Sequence, residues 1–294
     1  MDEQHSQKPD SVEAMLSLNS TSLGSSPLAK SVMNSQAMAS WKPQTIRRCW
    51  QHVVEQYSRL NLSFETDIFP ALSGVARFFQ KCQGPSRYFA GLWEQSLLHD
   101  LLWHNDCQSD SFVMVDRPEW RAPTWSWASL NCPVKFVDTT GGLKPLCSVV
   151  EVSSEAVAGA DPMGQLSEGH LVLRGKLIPT ILNYPTLDDG KKKSWNVYTL
   201  KCAQGRVSNI WADTDTSRSD SSRIENGTEV YCLPVGVKTV SKAFECLLLT
   251  KVDNKAGEGQ KNYKRIGLFE LPRGPNDLSS EWVDSENDQT FTII

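Results

Sequence analysis

No glycine-rich phosphate loop interrupts the 294 residues of this sequence. Neither G-x-x-x-x-G-K-S/T nor G-x-G-x-x-G occurs, and Gly257 and Gly259 alone make no nucleotide cradle. G-x-S-x-G is also missing, which removes the nucleophile elbow of the α/β-hydrolases. The eight cysteines, from Cys49 to Cys246, include no C-x-x-C pair, so no zinc ribbon or finger is spaced for. Apolar runs stop after a handful of residues, far short of the roughly 20 that a membrane-spanning helix needs. The first residues, Met1-Asp2-Glu3-Gln4-His5, lead into no apolar signal core. With no secretory route, sequons at Asn19, Asn61 and Asn226 are chance matches, and reduced thiols in a cytoplasmic protein are expected. A net charge of −4 argues against nucleic acid or an anionic membrane as partner. Residues 1–40 hold ten serines and no aromatic side chain, too little apolar area to offset ordering entropy. They are expected to be a disordered tail, with a marginal helix at Ser11–Leu18.

Tryptophan, by contrast, is abundant: ten residues, seven of them before position 128. At this length a compact chain buries about three quarters of its unfolded surface and needs no disulfide or metal for a core. Pro43 opens a predicted helix whose apolar face is Ile46, Trp50, Val53, Val54 and Tyr57. A second is predicted from Thr66 or Asp67, with Pro70 in its first turn, Leu72, Val75, Ala76 and Phe79 as its stripe, and Gly84-Pro85 as its stop. Phe89, Leu92, Trp93, Leu97, Leu98, Leu101 and Leu102 predict a third over 86–104. Strands are then predicted at 124–128, 134–137, 147–152, 170–178, 194–201, 229–235, 244–252 and 263–271, with Asp189-Gly190 as a hairpin turn. The expected fold is therefore α+β: a helical section, 41–106, packed on a mainly antiparallel β-rich section, 107–274. Residues 275–294 are expected to be a loose C-terminal tail.

Clusters with chemical potential each have a plainer reading. His99 and His104 lie five apart and point about 140° apart on a helix, so they read as solvated or helix-end histidines. Asp213, Asp215 and Ser217 imitate the start of a calcium loop, but Arg218 stands where glycine is needed and Ile224 where glutamate is. An ordinary acidic loop is the reading, as a solvated turn is for Lys191–Lys193. The sharpest local feature is the run Trp120-Arg121-Ala122-Pro123-Thr124-Trp125-Ser126-Trp127-Ala128-Ser129. On a strand Trp125 and Trp127 share one face, either as an anchor between helices and sheet or as a stacking platform for sugar or base.

That run resembles W-R-A-P-S-W-S-W-A-S, which follows the HET domain in fungal heterokaryon-incompatibility proteins, with Thr124 in place of serine. Asp67 to Ala76 resembles D-x-L-x-A-L-S-G-x-A with Phe69 for leucine; Tyr88 to Trp93 is similar to Y-x-A-G-L-W; Leu101-Leu102-Trp103 to L-L-W; and Tyr263 to Phe269 to Y-x-R-I-G-x-F. The resemblance covers roughly residues 41–272. The HET domain's own patterns, Y-x-x-L-S-Y-x-W-G and W-I-D-x-x-C-I-N-Q, do not occur, and no residue of that TIR-related, death-triggering part is carried over. The resemblance implies a downstream region standing alone, from a truncated gene model or as a degenerate paralogue. It further implies a non-enzymatic role in recognition or regulation, with an unidentified protein as partner and no cofactor. Trp93, Arg121, Pro123, Trp125, Trp127, Arg265 and Gly267 would be its structural motif residues, with no catalytic or metal-binding residue named. The alternative is a carbohydrate- or small-ligand-binding module built on Trp125 and Trp127.

Overall fold

The computed structural model describes residues 41–106, 117–184, 198–202, 205–207, 210–214, 224–252, 261–272 and 287–294. The serine-rich tail with Ser11–Leu18, the Asp189-Gly190 turn, Lys191–Lys193, Asp215 and Ser217 lie outside them.

Helix α1, Pro43–Tyr57, carries its proline in the first turn, where a missing N–H costs nothing. Ile46, Trp50, Val54 and Tyr57 are buried along one face. The second predicted helix starts later. Pro70 has no N–H with which to close an α turn, and the chain winds through three-ten turns at Glu65–Ile68 and Pro70–Leu72. Only then does α2 run, Ser73–Gln83, ending at Gly84 with φ 73°.

The predicted third helix over 86–104 does not form. Strands β1, Tyr88–Phe89, and β2, Leu92–Trp93, make a hairpin across Ala90 and Gly91, whose φ values of 47° and 89° are those of a two-residue I′ turn. A three-ten turn at Glu94–Ser96, the four-residue helix α3, Leu97–Asp100, and strand β3, Trp103–Asn105, follow. Tertiary contacts overrode the helical spacing here. The Gly91 carbonyl accepts two indole N–H groups, from Trp50 at 3.0 Å and Trp127 at 3.2 Å. A Cβ on residue 91 would stand 2.4 Å from Trp127 Nε1. Leu92, Trp93, Leu97, Leu101 and Leu102 are buried all the same. The section 41–106 is thus mixed rather than purely helical.

The expected strand at 124–128 is also absent: the chain turns, with Ser126 N–H donating to Pro123 O at 2.9 Å, and enters a three-ten turn at Trp127–Ser129. Strands then follow as β4 Val134–Phe136, β5 Leu143–Pro145, β6 Ser148–Ala156, β7 Leu166–Gly175 and β8 Ile178–Asn183. Next come β9 Thr199–Cys202, β10 Gly205–Val207, β11 Ile210–Ala212, β12 Glu229–Lys238, β13 Phe244–Lys251, β14 Asn262–Leu271 and β15 Gln289–Ile293. The last corrects the expectation of a loose tail through residue 294: Phe291 and Ile293 are buried, and their strand lies inside the sheet.

Among the described residues one eleven-stranded sheet dominates, in the order β10-β9-β8-β12-β13-β14-β15-β7-β6, with β11 on β14 and β5 on β12. Every pairing is antiparallel except β14 with β15. Leu233, Val235, Leu247, Leu249 and Leu268 join the core that holds α1, α2 and the tryptophans. Val230, Cys232, Phe244, Cys246 and Leu248 belong to a second core. Strand β13 is apolar almost throughout because both its faces are covered. The fold is α+β: a short helical N-terminal part on a large, mostly antiparallel sheet. Among the described residues no helix is long and apolar enough to cross a membrane.

Candidate functional site

All of Arg121–Leu130 is buried, and this segment closes a gap in the sheet. Along one edge of β14, β15 pairs with Asn262 and Tyr263, and β11 pairs with Gly267, Leu268 and Phe269. Lys264–Ile266 therefore lack a strand partner on that side. Thr124 supplies what the missing strand would. Its Oγ1 accepts the Arg265 N–H at 3.0 Å and donates to the Ile294 carbonyl, and its own N–H donates to the same carbonyl at 3.1 Å. The Arg265 carbonyl is taken by Arg117 Nη2 at 2.8 Å, and the Ile266 carbonyl by Asp213 N–H at 2.9 Å.

The Arg265 side chain is wholly buried beneath this plug. It donates to the carbonyls of Leu101, at 2.7 Å, and Trp103, and lies 3.4 Å above the Trp103 ring. Its charge is met by Asp213, 3.2 Å away and equally buried, which also binds Arg117 at 3.0 Å. Burial pushes the Arg265 guanidinium down to about 10, the Asp213 carboxylate opposing. Arg121 has no acid. Its guanidinium is held by the carbonyls of Ala128 at 2.8 Å, Leu130 at 2.7 Å and Glu65 at 3.1 Å, fixing the turn around the tryptophans.

Trp125 and Trp127 are 0% and 1% exposed, so neither offers a platform face. The Trp125 carbonyl accepts Trp103 Nε1 at 3.0 Å, and the Trp127 ring meets Tyr57 and Phe69 edge-on. Trp93 packs against Trp50 and Tyr88, and the Pro123 ring lies over Gly169. Gly267 lets β11 approach: a Cβ there would stand 2.8 Å from the Trp211 carbonyl. All seven motif residues are buried.

The histidines are less solvated than expected. His99, on α3, sets Nδ1 at 2.9 Å from Thr139 Oγ1, and burial pushes it down to about 4. His104, on β3, stacks on Trp211. Asp100 is fully buried, accepts from Gln51 at 2.8 Å, and is pushed up to about 6 by desolvation. Among the described residues no group of three or more His, Cys, Asp or Glu side chains is placed to hold a metal ion.

Over the plug lies a cleft of about 900 Å³. Its lining combines the buried Arg121, Thr124 and Arg265 with the more exposed Glu119, Trp120, Glu168 and Lys264. Trp120 is 51% exposed. Trp125 and Trp127, the expected platform pair, are enclosed, while Trp120 at the head of the same run is exposed. Asp213, expected in an ordinary acidic loop, is buried, carried into the core by the apolar strand Ile210–Ala212 ahead of it. Compared with protein-family models, curated proteins and solved structures, the chain matches none.

Proposed function

We propose that this chain is a non-enzymatic, cytoplasmic recognition or regulatory protein of fungal allorecognition, similar to the region downstream of the HET domain. One observation carries the reading. The five stretches behind the resemblance, spread over about 200 residues, meet in one buried assembly: Phe69 edge-on to Trp127, the Gly91 carbonyl with Trp50 and Trp127, and Arg265 with Trp103, Thr124 and Asp213. Residues that jointly specify a fold keep their order and spacing together. The same assembly commits Arg121, Arg265, Thr124, Ser126, Trp125 and Trp127 to structure, so the reading assigns them no catalytic step and needs no cofactor. An unidentified protein partner, not nucleic acid or membrane, is the corollary.

The test is made in a filamentous fungus that carries the gene. Deletion and overexpression strains are paired with incompatible and compatible testers, and the contact reaction is scored. The reading expects overexpression alone to leave cells viable and deletion to change the outcome of at least one pairing. Pairings identical to the parent in every combination would sink it.

A further inference from the structure

We infer that the cleft above the Trp120–Ser129 segment binds a neutral oligosaccharide, with one sugar ring stacked on Trp120. The inference rests on the recognition reading, to which it adds a ligand class. Three observations lead to it. First, the half-exposed indole of Trp120 stands in the wall of a cleft whose volume, about 900 Å³, lies within the range of about 300–1,000 Å³ usual for small-molecule sites. An exposed indole surface at the mouth of a cavity is apolar area that a flat ligand face can cover.

Second, the charges of the lining do not select an ion. Arg121 and Arg265 are spent on backbone carbonyls and Asp213, and Arg117 is held by Asp213 and the Arg265 carbonyl. The ionised groups that remain on exposed lining residues are Glu119, Glu168 and Lys264, of mixed sign. His170 is engaged by Glu151 at 3.3 Å. A phosphate would meet two carboxylates, and a strong cation would meet Lys264 with three arginines behind it. A ligand without net charge avoids both penalties.

Third, the lining that holds Trp120 carries both acceptors and donors: the carboxylates of Glu119 and Glu168, the ammonium of Lys264, and the hydroxyls of Ser167, which already donates to the Glu155 carbonyl at 3.2 Å, and Thr250. A sugar ring presents that combination in reverse. Its C–H face is weakly positive and suits the negative face of an indole, while its equatorial hydroxyls both donate and accept. The carbohydrate alternative read from Trp125 and Trp127 thus moves to Trp120.

The experiment titrates the full chain with neutral gluco-, manno- and chito-oligosaccharides, following heat and tryptophan fluorescence, beside Trp120→Ala and Glu168→Gln. Both substitutions lie on exposed positions, so their thermal midpoints should stay at the wild-type value. At least one oligosaccharide should bind the wild type with a Kd below about 1 mM, and Trp120→Ala should weaken it about tenfold or more. Glu168→Gln should weaken it by a smaller factor. Silence across the panel up to about 10 mM, or binding indifferent to Trp120→Ala, overturns the inference. The two readings fail separately. If no sugar binds but Trp120→Ala still alters the fungal pairings, the ligand class is wrong and recognition stands. If sugar binds while deletion leaves every pairing unchanged, the allorecognition role is wrong and the site stands.

Discussion

At position 124 a single hydroxyl replaces a strand. It accepts the Arg265 N–H that neither β11 nor β15 reaches. Thr124→Val keeps the shape and removes the acceptor, leaving a buried donor unpaired at a cost of about 1–3 kcal/mol. Thr124→Ser keeps the oxygen and should cost less, so the order of urea midpoints, wild type, then Ser, then Val, checks the role. Trp125→Ala and Trp127→Ala should each lose about 3–5 kcal/mol, because both rings are fully enclosed. A loss below about 1 kcal/mol in either, by urea unfolding, would contradict the core assignment. Burial of these rings was legible from their number and size. Their separate directions were not, because the turn at Pro123–Ser126 is held by Arg121 on the Glu65 carbonyl, Ser126 on the Ala90 carbonyl and Trp127 on the Gly91 carbonyl, all remote in sequence.

Elements with one strong period came through best. Helix α1 and strands β12, β13 and β14 lie within a few residues of where periodicity puts them. The 86–104 stretch misled because leucines and aromatics at three- and four-residue spacing fit a helix, while one left-handed glycine decides for a hairpin. Strands β5, β10 and β11, three residues each, are too short to carry a period. Strand β15 hid behind a polar, acidic approach, and its removal is a direct test. Deleting residues 289–294 exposes the edges of β7 and β14 together and should leave the protein insoluble or without a cooperative thermal transition. A soluble, cooperatively melting product would restore the tail reading. On β13, Glu245 lies opposite Glu270 of β14, with Lys238 of β12 2.6 Å from both. Burial pushes Glu245 up to about 7 from its ordinary 4.5, with Lys238 opposing and Glu270 adding. The native state therefore holds a proton that the unfolded chain releases between those values, and this group's contribution declines as pH rises through the window. Glu245→Gln should remove that slope, so the stability difference between wild type and variant should change between pH 5 and pH 8. A difference constant with pH would refute the assignment.

Taken as one object, the molecule stacks α1, α2 and the buried Trp50, Trp93, Trp103, Trp125 and Trp127 on one side of a sheet whose other side carries a second core. The α+β class was readable from helices followed by strands. Which strands would be neighbours was not, because the order β14-β15-β7 joins segments that local pattern never links. That order governs how the chain can find its structure. Leu171–Gly175 must meet Gln289–Ile293, whereas the β12–β13–β14 meander needs only nearby residues. Closing so long a loop precedes any reward from the contact, so folding should fall in the slow range, about milliseconds to seconds, with the meander formed early. Until β15 slides between its neighbours, two bare ladders wait, and refolding yield should drop as protein concentration rises, measurable by stopped-flow fluorescence with light scattering. The strand that seals the sheet is also its clock.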